Sequence, residues 1–374
     1  MLRTLVAAIP MPYNRFLVDL NQALGKGCDV VHDHEAFWNM EGEFDAVHIH
    51  FPEYLTYEIE ACLQTDITPA LMAQLEERLR YWKSQVPIVV TRHVFLPHRR
   101  PDKSFQDLYE LVYRYADGVV HFAEASREEY LQRYGSAFSD VLQRHVIIPH
   151  HNYESLANKI SKQEARRQLG ISEDSNVVLV FGAIRNEWER GLAFDTFRAI
   201  NVPRKLLLAS SMREKLADVK WIRLKYWLRD LSRAYYRVNP RYVFHYGFVD
   251  EEEVQIYVNA ADVFFIPRGH VLNSGNMVLA FTFGKVVVGP DSGDVGQVLR
   301  DTGNPLFDPA RPETAVKAVE HGFELAGADL GEQNRDLALA KWQVGDMADK
   351  YLRLYRELGD ARRYAPAVVS QANV

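Results

Sequence analysis

Three groups of side chains in this 374-residue chain have the types and spacing for chemistry on a charged ligand. The first is Asn273-Ser274-Gly275-Asn276, placed where a buried apolar helix should begin. Asn and Ser can cap orphan backbone N–H groups, and Gly lets a ligand come close to the chain. Unpaired N–H groups and the positive end of a helix dipole make a diphosphate seat there. The second group is Gly182-Ala-Ile-Arg185-Asn-Glu-Trp-Glu-Arg190-Gly191, which reads as a strand-end loop before a helix from about Leu192. Guanidinium groups bind phosphate oxygens bidentately, so Arg185 and Arg190 could clamp the same diphosphate. The alternative is a solvated loop whose arginines pair with Glu187 and Glu189.

The third group lies in the first half of the chain, where His50, Glu53, His93 and His98 each follow an expected strand. A carboxylate such as Glu53 at a strand end could deprotonate an acceptor hydroxyl, or merely cap a helix or orient a loop. The histidines are candidates for catalysis or for satisfied structural positions. His32-Asp-His34 and His48-x-His50 could ligate a metal, but no paired carboxylate or cysteine pattern supports that, and no metal site is expected.

The elements that must position these groups alternate along the chain. Thr4–Ile9, Ala46–His50, Ile88–Thr91, Gly118–Phe122 and Val146–Ile148 are expected strands. Helical patterns lie between them at Asn14–Leu24, Pro69–Ser84, Ser104–Tyr115 and Arg127–Tyr134. The second half repeats the plan, with strands at Val177–Phe181, Lys205–Ala209, Tyr242–Tyr246, Val263–Pro267 and Val286–Gly289. Short apolar runs bounded by Pro, Gly and Asp indicate parallel strands joined by crossover helices. Ser161 and Glu164 have the spacing of a capping box, and a boundary is expected at about residue 160. The domains are then 1–160, 161–345, and a C-terminal helix with a tail from Ala361 over 346–374, packing back on the first domain. Two doubly wound α/β domains would bind ligand outside the carboxyl ends of their strands.

Composition agrees. Hydrophobic content of 47%, charged content of 25% and a net charge of −6 describe a globular protein without nucleic acid as its main partner. Two cysteines, Cys28 and Cys62, exclude a disulfide framework and fit a reducing, cytoplasmic setting. No segment has the roughly 18 apolar residues of a membrane-spanning helix. Trp221, Leu224, Leu228, Leu231, Tyr235 and Val238 recur at helical spacing among arginines and lysines over 220–238. That stretch packs on the second sheet or lies at the inner face of an anionic membrane.

Several of these motifs, in order, resemble one family. Phe181-Gly182-Ala-Ile-Arg185…Arg190-Gly191 is similar to the G-x-x-R…K-G signature of nucleotide-sugar glycosyltransferases of the GT-B fold, in the group 1, family 4-like lineage. Tyr246-Gly-Phe-Val249 and the run to Pro267 resemble that lineage's approach to the donor site. Leu272-Asn-Ser-Gly275 and His48-Ile-His50-Phe-Pro-Glu53 resemble a sub-group with L-N-S-G and H-x-H-W-P-E motifs. The stretches Thr91–His98 and Ala125–Arg127 fall where such enzymes carry acceptor-side loops, and His150-His151-Asn152 resembles their interdomain junction.

The resemblance implies two facing Rossmann-like domains with an interdomain cleft. It implies a nucleotide-sugar donor (GDP-mannose or a UDP-hexose) and a sugar acceptor on a polysaccharide or lipid-linked glycan. Gly182, Arg185, Arg190, Val249, Asn273, Ser274, Gly275 and Asn276 would hold the donor; Glu53, His93 and His50 would serve the transfer. His93 stands where relatives place a His that contacts the donor sugar. No cofactor or metal is implied, since helix dipole and basic residues stabilise the leaving diphosphate. One departure stands out: two glutamates of the lineage, E-x7-E, which contact donor sugar and ribose, are replaced here by Val271 and Leu279. A nucleotide-sugar epimerase and a non-catalytic nucleotide-sugar or glycan-binding protein are the alternatives.

Overall fold

The structure, a computed structural model, describes residues 1–212, 231 and 233–364. Two units emerge, Met1–Pro149 with the chain from Val344, and His150–Gln343. Each is built on a six-stranded, wholly parallel sheet among the described residues.

In the first unit the strands are β1 (Leu2–Val6), β2 (Cys28–His32), β3 (Ala46–Ile49), β4 (Ile88–Thr91), β5 (Gly118–His121) and β6 (Arg144–Ile147), ordered β2-β1-β3-β4-β5-β6. Every residue of β3, β4 and β5 is buried. Parallel strands covered on both faces read this way, as unbroken apolar runs. Alternation sorts the side chains. Val47, Ile49, Ile88 and Val90 enter one core with Leu75, Leu79, Trp82 and Tyr109, while Ala46 and Val89 enter another with Leu17, Leu20, Tyr351 and Leu354. That second core joins the helix Arg15–Leu24 to the C-terminal helix Val344–Tyr364.

The second unit holds β7 (Asn176–Val180), β8 (Lys205–Ala209), β9 (Tyr242–Phe244), β10 (Val263–Phe265), β11 (Val286–Pro290) and β12 (Leu306–Phe307). Their order is β12-β11-β10-β7-β8-β9, so the winding reverses between β7 and β10. Ligands of open α/β sheets bind outside the strand ends at such a reversal. Leu179, Phe264 and Val287 face a core with the helix Gly275–Thr282; Val178, Val263 and Val288 face the opposite core with Phe194 and Phe197.

The ten expected strands all have counterparts, and β2 and β12 are additional. Cys28–His32 is a half-exposed edge strand and β12 has two residues, so neither carries a long apolar run. The helix expected from Leu192 begins at Glu187, because Asn186 caps it by accepting from the Glu189 N–H at 2.9 Å. Arg190 therefore stands on a helix and not in a loop. Ser161 makes its half of the expected capping box, accepting from the Glu164 N–H at 3.2 Å. Residues Ala361–Tyr364, expected to fray, continue the C-terminal helix. Most of the basic aromatic stretch 220–238 lies outside the described residues, as does 365–374. No helix among the described residues is long and apolar enough to cross a membrane.

Candidate active site

The second unit brings its two motifs to neighbouring strand ends. Gly182 leaves β7 with a φ of 78°, the left-handed region that glycine enters without strain. Its N–H donates to Ser210 Oγ at 2.9 Å, and a Cβ there would stand 3.1 Å from Asn276 Nδ2. Asn276 Nδ2 in turn donates to the Phe181 carbonyl at 2.7 Å. The start of the helix Gly275–Thr282 is thus fastened to the end of β7. Trp188 closes the other side, its indole lying against Gly269 beyond β10.

The expected side-chain cap at Asn273–Asn276 is not made. Ser274 occupies the cap position, yet its hydroxyl bonds no backbone N–H. That Oγ is buried and has no partner among the described residues, on a residue only 3% exposed. The close approach that Gly275 permits is to Tyr153, whose hydroxyl would sit 2.6 Å from a Cβ. A buried hydroxyl without a partner carries a desolvation cost that a ligand oxygen would relieve.

Arg185 and Arg190 behave differently. The Arg185 N–H donates to Glu189 Oε2 at 2.8 Å, and its guanidinium is 4.0 Å from Glu189 Oε1. Burial first, and the neighbouring Arg268 second, push the Arg185 guanidinium down to about 9, with Glu189 opposing. Arg190 is buried, 3.9 Å from Glu187 and 4.5 Å above the Phe194 ring one turn along its own helix. The alternative pairing with Glu187 and Glu189 is therefore present, loosely for both arginines. Val249 points its side chain into the core beside Val254 and Tyr257. Val271 and Leu279, expected to replace the glutamates, are likewise core at 1% and 5% exposure.

In the first unit, strand parity puts His48 and His50 on one face of β3 and Thr91 and His93 on the same face of β4. His48 bonds Thr91 Oγ1 through Nε2 at 2.8 Å and the Tyr355 hydroxyl through Nδ1 at 2.7 Å. Thr91 also bonds the Tyr351 hydroxyl at 2.9 Å. Both His48 nitrogens being engaged, burial and His93 bring it down to about 3. His50 Nδ1 lies 3.0 Å from His93 Nε2, while His50 Nε2 is buried without a partner among the described residues. An unsatisfied buried N–H is rarer than an unsatisfied acceptor, so the proton belongs on Nδ1 and His50 donates to His93. His93 is then held with its own proton on Nδ1. Phe51 stacks on the His93 ring at 4.3 Å and Phe16 meets it edge-on at 4.8 Å.

Glu53 is tied elsewhere. It is 5% exposed, and the Tyr109 hydroxyl donates to its Oε2 at 2.7 Å. Burial raises the carboxyl to about 7 despite that bond. His98 is exposed. His32 Nε2 lies 3.2 Å from the Ile9 carbonyl, and no group of three or more His, Cys, Asp or Glu among the described residues could hold a metal. His150 and His151 turn their Nδ1 atoms to the carbonyls of His151 and Asn152, at 2.7 and 2.6 Å.

Sequence reasoning overlooked Arg268, Tyr109, Tyr351 and Tyr355. Arg268 had a signal, since it directly follows the expected strand Val263–Pro267. The tyrosines had none, being helical residues 56 to 307 positions from their partners.

No family model matches the chain, and no curated protein matches it. Solved structures do. A sucrose-phosphate synthase from Thermosynechococcus elongatus is 16% identical with a TM-score of 0.65, covering 96% of this chain and 99% of that one. HepE of Anabaena, in complex with UDP, is 14% identical with a TM-score of 0.65, covering 95% and 99%. The catalytic domain of starch synthase IV from Arabidopsis thaliana, bound to ADP and acarbose, is 14% identical with a TM-score of 0.58, covering 94% and 79%. At these identities the likeness is one of fold: two Rossmann-like domains of the GT-B type.

Proposed function

We propose that this GT-B chain is a glycosyltransferase, moving a hexose from a nucleoside-diphosphate sugar to a sugar hydroxyl of a polysaccharide or lipid-linked glycan. One observation carries the reading: Arg185 and the Ser274–Asn276 turn leave neighbouring regions of the sheet reversal, with the buried Ser274 hydroxyl lacking a partner among the described residues. HepE, of the same fold, is known in complex with UDP and with UDP-glucose.

In this mechanism the second unit grips the diphosphate. As the glycosidic bond loosens, negative charge grows on the departing phosphate oxygen, and Arg185, Arg190 and the helix N-terminus stabilise it. The first unit receives the acceptor near His50, Glu53 and His93. Glu53, with a carboxyl near 7, is matched to removing the hydroxyl proton at neutral pH. His93, protonated on Nδ1 by its bond with His50, donates toward the donor sugar. The donor is GDP-mannose or a UDP-hexose, and the work is cytoplasmic, with the basic stretch 220–238 as a peripheral membrane contact.

A second reading is favoured by Val271 and Leu279, whose buried apolar side chains stand in the glutamate slots. It makes the chain a nucleotide-sugar-binding protein without turnover. Calorimetric titration with GDP, UDP and ADP, then incubation with the matching sugar nucleotides and glycan acceptors, separates the two. Nucleotide binding with sugar transfer supports the enzyme, and binding without transfer supports the second reading. An unchanged rate in Arg185→Ala removes Arg185 from the mechanism.

A further inference from the structure

Strands β7 and β10 are parallel neighbours in register, Val178 beside Val263 and Leu179 beside Phe264. The chain leaving β7 carries Arg185, and the chain leaving β10 carries Arg268. A tight turn, with the Arg268 N–H donating to the Ile266 carbonyl at 2.8 Å, sets Arg268 just past the strand end. The next residue, Gly269, lies under the Trp188 indole, with room for a Cβ only at 3.1 Å from the ring. Trp188 opens the helix that follows Arg185, so the two loops are packed against each other.

Here the Arg185 and Arg268 guanidinium groups both face one buried carboxylate, Glu189. Glu189, 5% exposed, spends Oε2 on the Arg185 N–H and holds Oε1 4.0 Å from the Arg185 guanidinium. Arg268 is half-buried, and among the described residues its guanidinium has neither a hydrogen-bond acceptor nor an ion pair. Burial destabilises its charge, Glu189 offsets part of that, and Arg185 feels it as a repelling neighbour. Buried charges in proteins are paired, so a cation with no partner among the described residues, beside a second cation, marks where an anion belongs. The Ser274 hydroxyl, without a partner among the described residues, lies on the loop that Arg268 opens.

We infer that Arg268 is a second guanidinium of the diphosphate cradle, binding one phosphate while Arg185 binds the other. It makes the site selective for a pyrophosphate-bearing ligand over a monophosphate. Two cations held apart on separate strand ends match two linked phosphates, whereas a single phosphate satisfies one arginine and leaves the other exposed to its neighbour. This inference rests on the proposed donor site but not on transfer taking place.

The test is calorimetric binding of inorganic pyrophosphate and inorganic phosphate to the full chain, its Arg268→Gln and Arg268→Lys variants, and Arg185→Gln. Losing charged hydrogen bonds should weaken pyrophosphate binding about tenfold or more in Arg268→Gln, with phosphate changed less than about threefold. Arg268→Lys, keeping charge but losing the fork, should fall between. Unchanged pyrophosphate binding in Arg268→Gln overturns the inference, as does an equal loss for both anions, which would mean a diffuse charge effect. Should the glutamine variant fail to fold by circular dichroism, the pyrophosphate-to-phosphate ratio of the lysine variant decides: a ratio equal to that of the unsubstituted chain overturns it. Arg268-dependent pyrophosphate binding without sugar transfer would sink the enzyme reading alone. Transfer undisturbed in Arg268→Gln would sink only this one.

Discussion

Replacing Glu53 with Gln should make the first unit more stable and the protein inactive. Glu53 is raised from 4.5 to about 7 by burial, against the opposing bond from Tyr109. At about 1.4 kcal/mol per pH unit, that gap costs the ionised folded state about 3 kcal/mol. Its direction follows from proton counting. Between 4.5 and 7 the folded chain keeps a proton that the unfolded chain has lost, so stability falls as pH rises through that window and is level above it. Below 4.5 both states are protonated and the cost vanishes.

Gln is neutral at every pH, nearly isosteric, and its Oε1 can still accept from the Tyr109 hydroxyl. The variant should match the unsubstituted chain near pH 4.5 and exceed it by about 3 kcal/mol at pH 8. Urea unfolding followed by hydrogen exchange of peptides from Ala46–Tyr54 and Ile88–Thr91 reads this unit alone. Taking the difference between variant and parent at each pH cancels the histidines that titrate in both. Under the proposed mechanism the same variant loses about a hundredfold or more in turnover, since its general base is gone. A margin of equal size at pH 5 and pH 8, or a variant less stable at pH 8, would refute the reasoning.

Three further outcomes follow from other side chains. His48 and His121, fully buried and brought down to about 3 and about 2, stay neutral in the fold while the unfolded chain takes up protons below about 6.5. Their stability is complete above that pH and shrinks as pH falls, by about 2 kcal/mol each at pH 5; in the Glu53→Gln background, lacking the opposing carboxyl, the same unfolding assay should show at least this loss, to which His50, His32 and His145, also lowered by burial, add. Nitrogen-15 spectra of the imidazoles should find the His93 proton on Nδ1, and a proton on Nε2 would reverse the assigned direction of the His50–His93 bond. With Leu279 in the core where a ribose-contacting glutamate would stand, 2′-deoxy and ordinary nucleoside diphosphates should bind within about threefold of each other, and a tenfold preference for ribose would show another residue doing that work.

Where local pattern determines structure, the chain was legible. Buried parallel strands announce themselves as apolar runs, and strand parity alone places His48 with His50 and Thr91 with His93. Partners across the chain were not legible, because nothing near Glu53 specifies Tyr109 and nothing near His48 specifies Tyr355. Strand order is equally silent in the sequence, and the reversal between β7 and β10 is what makes Arg268 and Arg185 neighbours. The glutamate slots show how the two kinds of information combine. In the sequence, Val271 and Leu279 look like lost contacts. In the fold they are core, and the same loop carries a buried Ser274 hydroxyl and an Arg268 guanidinium that have no partner among the described residues. With Val271 and Leu279 apolar, the corner offers the Arg185 and Arg268 guanidinium groups but no carboxylate at those two positions. Its affinity should therefore come from phosphate charge rather than from sugar and ribose hydroxyls, and nucleotide binding should weaken steeply with added salt.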